Sequence, residues 1–202
     1  MIEFLDYLGT VVFAITGALA AGRRQMDVFG VVVVATVTAV GGGTLRDMLL
    51  GLQPVFWVAE PLYIVATTLA ALVTFAAMRF LHSPRRMLLV LDALGLAVFT
   101  ILGCQRALMV TSSPVVVVMM GVMSGTAGGM VRDLLCDKVP VVLRREIYAT
   151  ASLVGGVLFV LLTSRKVDFN QAALISIFAV LAIRLFALRR GLSLPVAQVK
   201  ES

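Results

Sequence analysis

The chain has 202 residues, 60% of them hydrophobic and 14% charged, against roughly 45–50% and 25% in an ordinary soluble domain. A single soluble core of this length cannot hide so much apolar surface, so composition excludes a soluble globular fold. The formal charge of +6 would suggest a nucleic-acid partner in a soluble protein. Here the Lys and Arg residues sit between apolar runs, where membrane topology places them, and no nucleic acid is expected.

A hydrocarbon layer about 30 Å thick is crossed by roughly 20 mostly apolar helical residues. Seven runs meet that measure, at approximately 4–22, 28–50, 61–81, 87–107, 114–136, 147–164 and 171–189. The first resembles a signal peptide in length, but its leading residues include Glu3 and Asp6 and Arg23-Arg24 follow it, the reverse of a cleavable signal's charge order. It reads as an uncleaved first span. The separators carry breakers: Arg23 to Asp27, Gln53-Pro54, Ser83 to Arg86, Ser112 to Pro114, Val139-Pro140 and Arg165 to Asp168. Cys104 and Cys136 have no metal-ligand spacing and read as packing residues. The period-two alternation of a membrane β-barrel strand is missing. The expected fold is all-α and integral to the membrane.

Seven crossings place the N-terminus and the links after spans two, four and six on one side. That side holds Arg46, Arg106, Arg165 and Lys166, and the other side holds the remaining thirteen of the 17 Lys and Arg residues. Positive charge gathers in the cytoplasm, which predicts an external N-terminus and a cytoplasmic C-terminus.

Shifted by 86 positions, the chain matches itself without a gap. Leu5-Asp6 meets Leu91-Asp92, and Gly9, Phe13, Ile15 and Gly17 meet Gly95, Phe99, Ile101 and Gly103. Further on, Gly42-Gly43 meets Gly128-Gly129, Arg46-Asp47 meets Arg132-Asp133, Pro54-Val55 meets Pro140-Val141, and Glu60 meets Glu146. Biased composition supplies matching Leu and Val, but not Gly, Pro, Arg and Asp at one offset. The expected organisation is a three-span repeat over 1–83, a second over 84–168, a seventh span over 169–190 and a cytoplasmic tail over 191–202. An odd number of crossings inverts the second copy, an arrangement in which transport proteins place their path between repeats near the midplane.

Two clusters stand out within the spans: Gly41, Gly42, Gly43 and Thr44, then Gly125, Gly128 and Gly129. Glycine costs about 1 kcal/mol per helix position relative to Ala, so the clusters predict helix breaks. Freed backbone carbonyls near Gly41–Gly43 and Gly128–Gly129 would then coordinate a passing cation. The competing reading is that small residues only let helices pack closely. Arg46, Asp47, Arg132 and Asp133 follow in the last turns, and charges inside a membrane are default functional candidates. Adjacent helical residues point about 100° apart, so Arg46 is expected to pair with Asp6 and Arg132 with Asp92 rather than each with its neighbour. Asp6, Gly9, Phe13 and Gly17 share one helix face, as do Asp92, Gly95, Phe99 and Gly103. His82 stands alone, and catalytic, metal-ligand and phosphate-cradling motifs are missing, so neither an enzyme nor a cofactor is expected.

The Gly-Gly-Gly-Thr-Leu-Arg-Asp run at 41–47 and the Gly-Gly-x-x-Arg-Asp run at 128–133 resemble the bacterial branch of the trimeric intracellular cation (TRIC) channel family. So do Pro54-Val55-Phe56-Trp57 and Glu146-Ile147-Tyr148-Ala149. The resemblance covers residues 3–190. It implies a homotrimer in the bacterial inner membrane, in contact with lipids. A pore permeable to monovalent cations such as potassium would lie within each subunit, bounded by spans two and five. Members are also described as glycine transporters, which keeps open a carrier for a small zwitterion.

Overall fold

The computed structural model describes residues 2–80, 84–144 and 147–193, so His82, Glu146 and the tail beyond Ser193 fall outside the described residues. Eight α-helices, with short 3-10 turns at Met78–Phe80 and Val141–Leu143, make up the described chain: α1 (Ile2–Gly22), α2 (Val28–Leu49), α3 (Phe56–Ala59), α4 (Leu62–Ala77), α5 (Pro84–Leu108), α6 (Pro114–Leu135), α7 (Ala149–Ser164) and α8 (Phe169–Arg190). Lipid offers backbone groups no hydrogen bonds, so the crossing segments must satisfy their own, and the helix does this within one segment. Six of the helices are long and apolar enough to span. Sixteen-residue α7 is shorter but equally apolar, and α3 is a single turn between spans. The protein is an all-α, multi-pass membrane protein.

Local chemistry fixes several ends. The Asp27 carboxylate accepts from Gly30 N at 2.7 Å and starts α2. Asp168 does the same for α8 by accepting from Asn170 N and Gln171 N. Pro114 opens α6 at a position where a missing N–H costs nothing.

Helices α1 and α5, equivalent in the repeat, pack against each other at the centre, flanked by α2 and α6. Arg24, beyond the end of α1, donates from Nε to Cys136 O at the end of α6 at 2.6 Å. At the opposite face, Tyr7 at the start of α1 stacks on Tyr63 at the start of α4, and Arg46 at the end of α2 lies over Phe56. The chain thus ends α2 and α6 toward opposite faces, as inverted three-helix repeats require. Helix α8 has no repeat partner and packs on α5 and α7. Large apolar side chains such as Phe29, Leu69, Val73 and Phe178 point outward, as a chain surrounded by hydrocarbon allows.

The expected helix breaks do not form. Both α2 and α6 stay helical through Gly41–Gly43 and Gly125–Gly129, so the helix breaks that were to free their carbonyls are not present in this conformation. The reason is contact. A Cβ on Gly42 would stand 2.3 Å from Ser124 O on α6, and one on Gly128 would stand 2.4 Å from Thr38 O on α2. The helices cross backbone to backbone, and the packing gained offsets the weak helix propensity of glycine. Other glycines seat side chains: Gly43 the Phe56 ring, Gly129 the Tyr148 hydroxyl and Gly125 the Thr100 hydroxyl. Gly41 meets nothing within 4 Å.

The cluster therefore divides by position. Gly42→Ala and Gly128→Ala are expected to lower the melting temperature in detergent, whereas Gly41→Ala is expected to hold or raise it, by up to about 1 kcal/mol of helix propensity. Equal losses at all three positions would contradict the crossing as the reason for the glycines.

Candidate functional site

Each glycine-bearing helix delivers an arginine to the interior in its last turn. Arg46 and Arg132 are both 1% exposed, although they lie one turn from a helix end that could have let them reach the headgroups. Their charges are met inside the protein. Arg46 donates from Nε to Asp47 Oδ1 at 2.8 Å, with Nη2 2.7 Å from the same oxygen. Arg132 donates from Nε and Nη2 to Asp133 Oδ1, both at 3.0 Å. Such paired charge-assisted bonds are stronger and more directional than neutral ones.

The adjacent residues do pair, contrary to the expectation from helix geometry. The 100° between neighbours separates Cβ directions, but a guanidinium at the end of four bonds folds back over the helix terminus. Each aspartate is also held from its other side. Asp47 Oδ2 accepts Phe56 N at 2.9 Å, and Asp133 Oδ2 accepts Val141 N at 3.0 Å. The chain returning after each helix thus orients the carboxylate toward its own arginine.

Of the two expected cross-helix pairs, one forms. Arg132 Nη1 donates to Asp92 Oδ1 at 2.6 Å. Arg46 instead has its ion pair with Asp47, while Asp6, 4% exposed, lies beside the Tyr63 side chain with Arg46 as its strongest opposite charge. The halves differ because of what the surrounding helices supply. Thr16 Oγ1 accepts from Arg132 Nη1 at 3.2 Å. The residue 86 positions on, Leu102, offers Arg46 no acceptor.

Several participants escape sequence reading. Tyr63 and Tyr148 occupy matching places beside Asp6 and Asp92 but are 85 residues apart, one short of the repeat, so an ungapped comparison misses them. Arg184 in α8 counts as a cytoplasmic charge in the sequence. In the structure it is 1% exposed, lies over the Tyr148 ring at 5.0 Å and donates to Ile147 O. Thr44 accepts the Trp57 Nε1 hydrogen at 2.9 Å. Phe13 and Phe99 stack at 5.2 Å between the repeats, 1% exposed, each ring taking the space that a side chain at Gly95 or Gly9 would fill.

A polar cavity opens at each end. One, of 300 Å³, is lined by Asp47, Glu60, Tyr63 and Arg106, among others. The other, of 250 Å³, is lined by Arg23, Arg85, Arg132, Asp133, Lys138 and Arg144, among others. Asp47 and Asp133 are repeat partners, so the cavities are related as the halves are. Their charges differ: the first mixes signs, and the second is basic. Burial, then the charge of Arg23, holds the Lys138 ammonium below its ordinary pKa.

Two inverted repeats joined along glycine-packed helices, with buried arginine–aspartate pairs below an opening at each face, define a membrane transport architecture. A family model described as "Glycine transporter" matches residues 3–79 and 89–164, stretches that begin 86 residues apart. The chain is 43% identical over 207 aligned positions to the UPF0126 inner membrane protein YadS of Escherichia coli K12, covering 100% of this chain and 99% of that one. A UPF0126 membrane protein of Vibrio cholerae is 43% identical over 199, covering 96% and 82%. The solved TRIC trimeric intracellular cation channel orthologue from Rhodobacter sphaeroides superposes with a TM-score of 0.92 at 44% identity, covering 95% and 98%. The chain belongs to the TRIC family, the family of that glycine-transporter model, and its members are not enzymes.

Asp92→Asn would leave buried Arg132 with one of its two carboxylate partners. Breaking a buried pair on one side typically costs about 3–5 kcal/mol. The variant is expected to melt well below the parent chain in detergent; an unchanged transition would remove the pair from the framework.

Proposed function

We propose that this chain conducts monovalent cations, potassium among them, along a path inside each subunit of a homotrimer in a bacterial inner membrane. The observation that carries this reading is the pair of polar cavities, one at each face, each walled by the aspartate of an arginine–aspartate pair at the end of a glycine-bearing helix. Likeness to a solved cation channel along nearly the whole chain supports it, and that relative's description as trimeric supports the assembly. Asp47 and Glu60 would collect cations at one mouth. Arg46 and Arg132 would set the barrier, since an arginine repels a cation unless its aspartate neutralises it.

Between the cavities the midplane is closed. The Phe13–Phe99 stack and the backbone contact of α2 with α6 fill it, so this conformation corresponds to a shut path. A closed midplane between two cavities also suits a carrier whose repeats rock about a central site, and the family's description favours glycine as its cargo. The charge bias of the loops supports an external N-terminus and a cytoplasmic C-terminus, with the basic cavity facing the cytoplasm.

Planar-bilayer recording of the purified chain tests the proposal. Discrete potassium currents are the expected result. Saturable glycine uptake by proteoliposomes without unitary currents would replace the channel with the carrier. A reporter active only outside the cytoplasm should stay silent when fused after Ser202, and activity there would reverse the orientation.

A further inference from the structure

The repeat makes Arg46 and Arg132 equivalent by descent, but the structure holds them unequally. Arg132 is tied directly to two helices besides its own last turn. Its Nη1 donates to Asp92 on α5 and to Thr16 on α1, and the Thr16 hydroxyl is itself oriented by donating to Phe13 O at 2.8 Å. Behind Asp92 lies Tyr148, whose hydroxyl sits over Gly129. The ring of Tyr148 is in turn held under Arg184 of α8, so the unrepeated helix supports this cluster alone.

Arg46 has none of these ties. Among the described residues its ion pair is with Asp47 in the adjacent position, and the face of Phe56 lies 5.8 Å from its guanidinium. Where Arg132 meets Thr16, the matching position is apolar Leu102. A second carboxylate, Asp6, stands on α1 with Arg46 as its leading countercharge, yet their ion pair is not made in this conformation. One arginine therefore has a used partner and a waiting one, and the used partner walls the cavity at that face.

We infer that the two arginines have separate tasks: Arg132 is a fixed structural cation clamped by Asp92, Thr16 and the Tyr148–Arg184 support, and Arg46 is the moving element, which exchanges Asp47 for Asp6. While Arg46 holds Asp47, the carboxylate on the cavity wall is neutralised. Once Arg46 moves to Asp6, Asp47 faces the path as a free charge, and a cation there is stabilised rather than repelled. Asp6 retains the net neutrality of the buried guanidinium, which membrane depth requires. The inference rests on the channel reading for its gating half only; the unequal clamping stands apart from it.

Two measurements on the full chain test it. In detergent melting, Arg132→Gln and the milder Thr16→Val are expected to lower the transition, by about 5 °C or more for the arginine, while Arg46→Gln, which breaks one buried pair and no tie to another helix, lowers it by clearly less than Arg132→Gln. This arm needs no transport. An Arg46→Gln transition as low as that of Arg132→Gln would overturn the separation of tasks. In single-channel recording, Asp6→Asn is expected to lower the open probability several-fold by removing the waiting partner. Asp47→Asn is expected to raise the open probability and to reduce the unitary current. Shifts of open probability in the same direction for both variants would overturn the exchange. Absence of unitary currents from the unmodified chain would instead remove the channel reading and, with it, the gating half, leaving the melting comparison to decide the rest.

Discussion

The organising constraint is the cost of a guanidinium at membrane depth. An arginine in hydrocarbon must be paired, hydrated or drawn to the headgroups, and among the described residues three are buried to about 1% exposure. For Arg46 and Arg132 the solution is an aspartate in the next position, gripped from its far side by a backbone N–H of the returning chain. That grip dictates where the segments after α2 and α6 run. Those segments form the cavity walls, so charge compensation and cavity shape follow from a single set of bonds.

Close helix crossing is the second requirement. Guanidinium groups on α2 and α6 reach the interior because these helices meet backbone to backbone at Gly42 and Gly128. Side chains there would push the helices apart and let lipid or water between charged groups. The same economy of space places the Phe13 and Phe99 rings over Gly95 and Gly9, so that the two repeats lock through aromatic stacking at their common axis. The interior is thus dense at mid-depth and open at both ends. The contacts that separate the two cavities are therefore these central ones.

Gene doubling supplies symmetry, and the additional helix removes part of it. Helix α8 inserts Arg184 beneath Tyr148 on one side of the bundle, and the single change of Thr16 against Leu102 gives one arginine an acceptor that the other lacks. The cavities diverge likewise: one combines Asp47 and Glu60 with Arg106, while the other gathers Arg23, Arg85, Lys138 and Arg144 around Asp133. Halves built from the same plan therefore present different electrostatics to the two sides of the membrane.

The sequence by itself determined the membrane fold, the seven apolar runs and the inverted doubling. These depend on composition, run length and identities at fixed spacing, all properties of the chain before it folds. It also marked Arg46, Asp47, Arg132, Asp133, Asp6 and Asp92 as charges that need an explanation in an apolar setting. Tertiary structure alone decided how those charges pair. Helical spacing describes where a side chain leaves the backbone, whereas partner choice depends on reach and on loops that bring Phe56 N and Val141 N to the carboxylates. The glycine clusters follow the same logic. Propensity predicted breaks, but contact with a facing helix outweighs propensity, and no local window contains the helix that Gly42 touches.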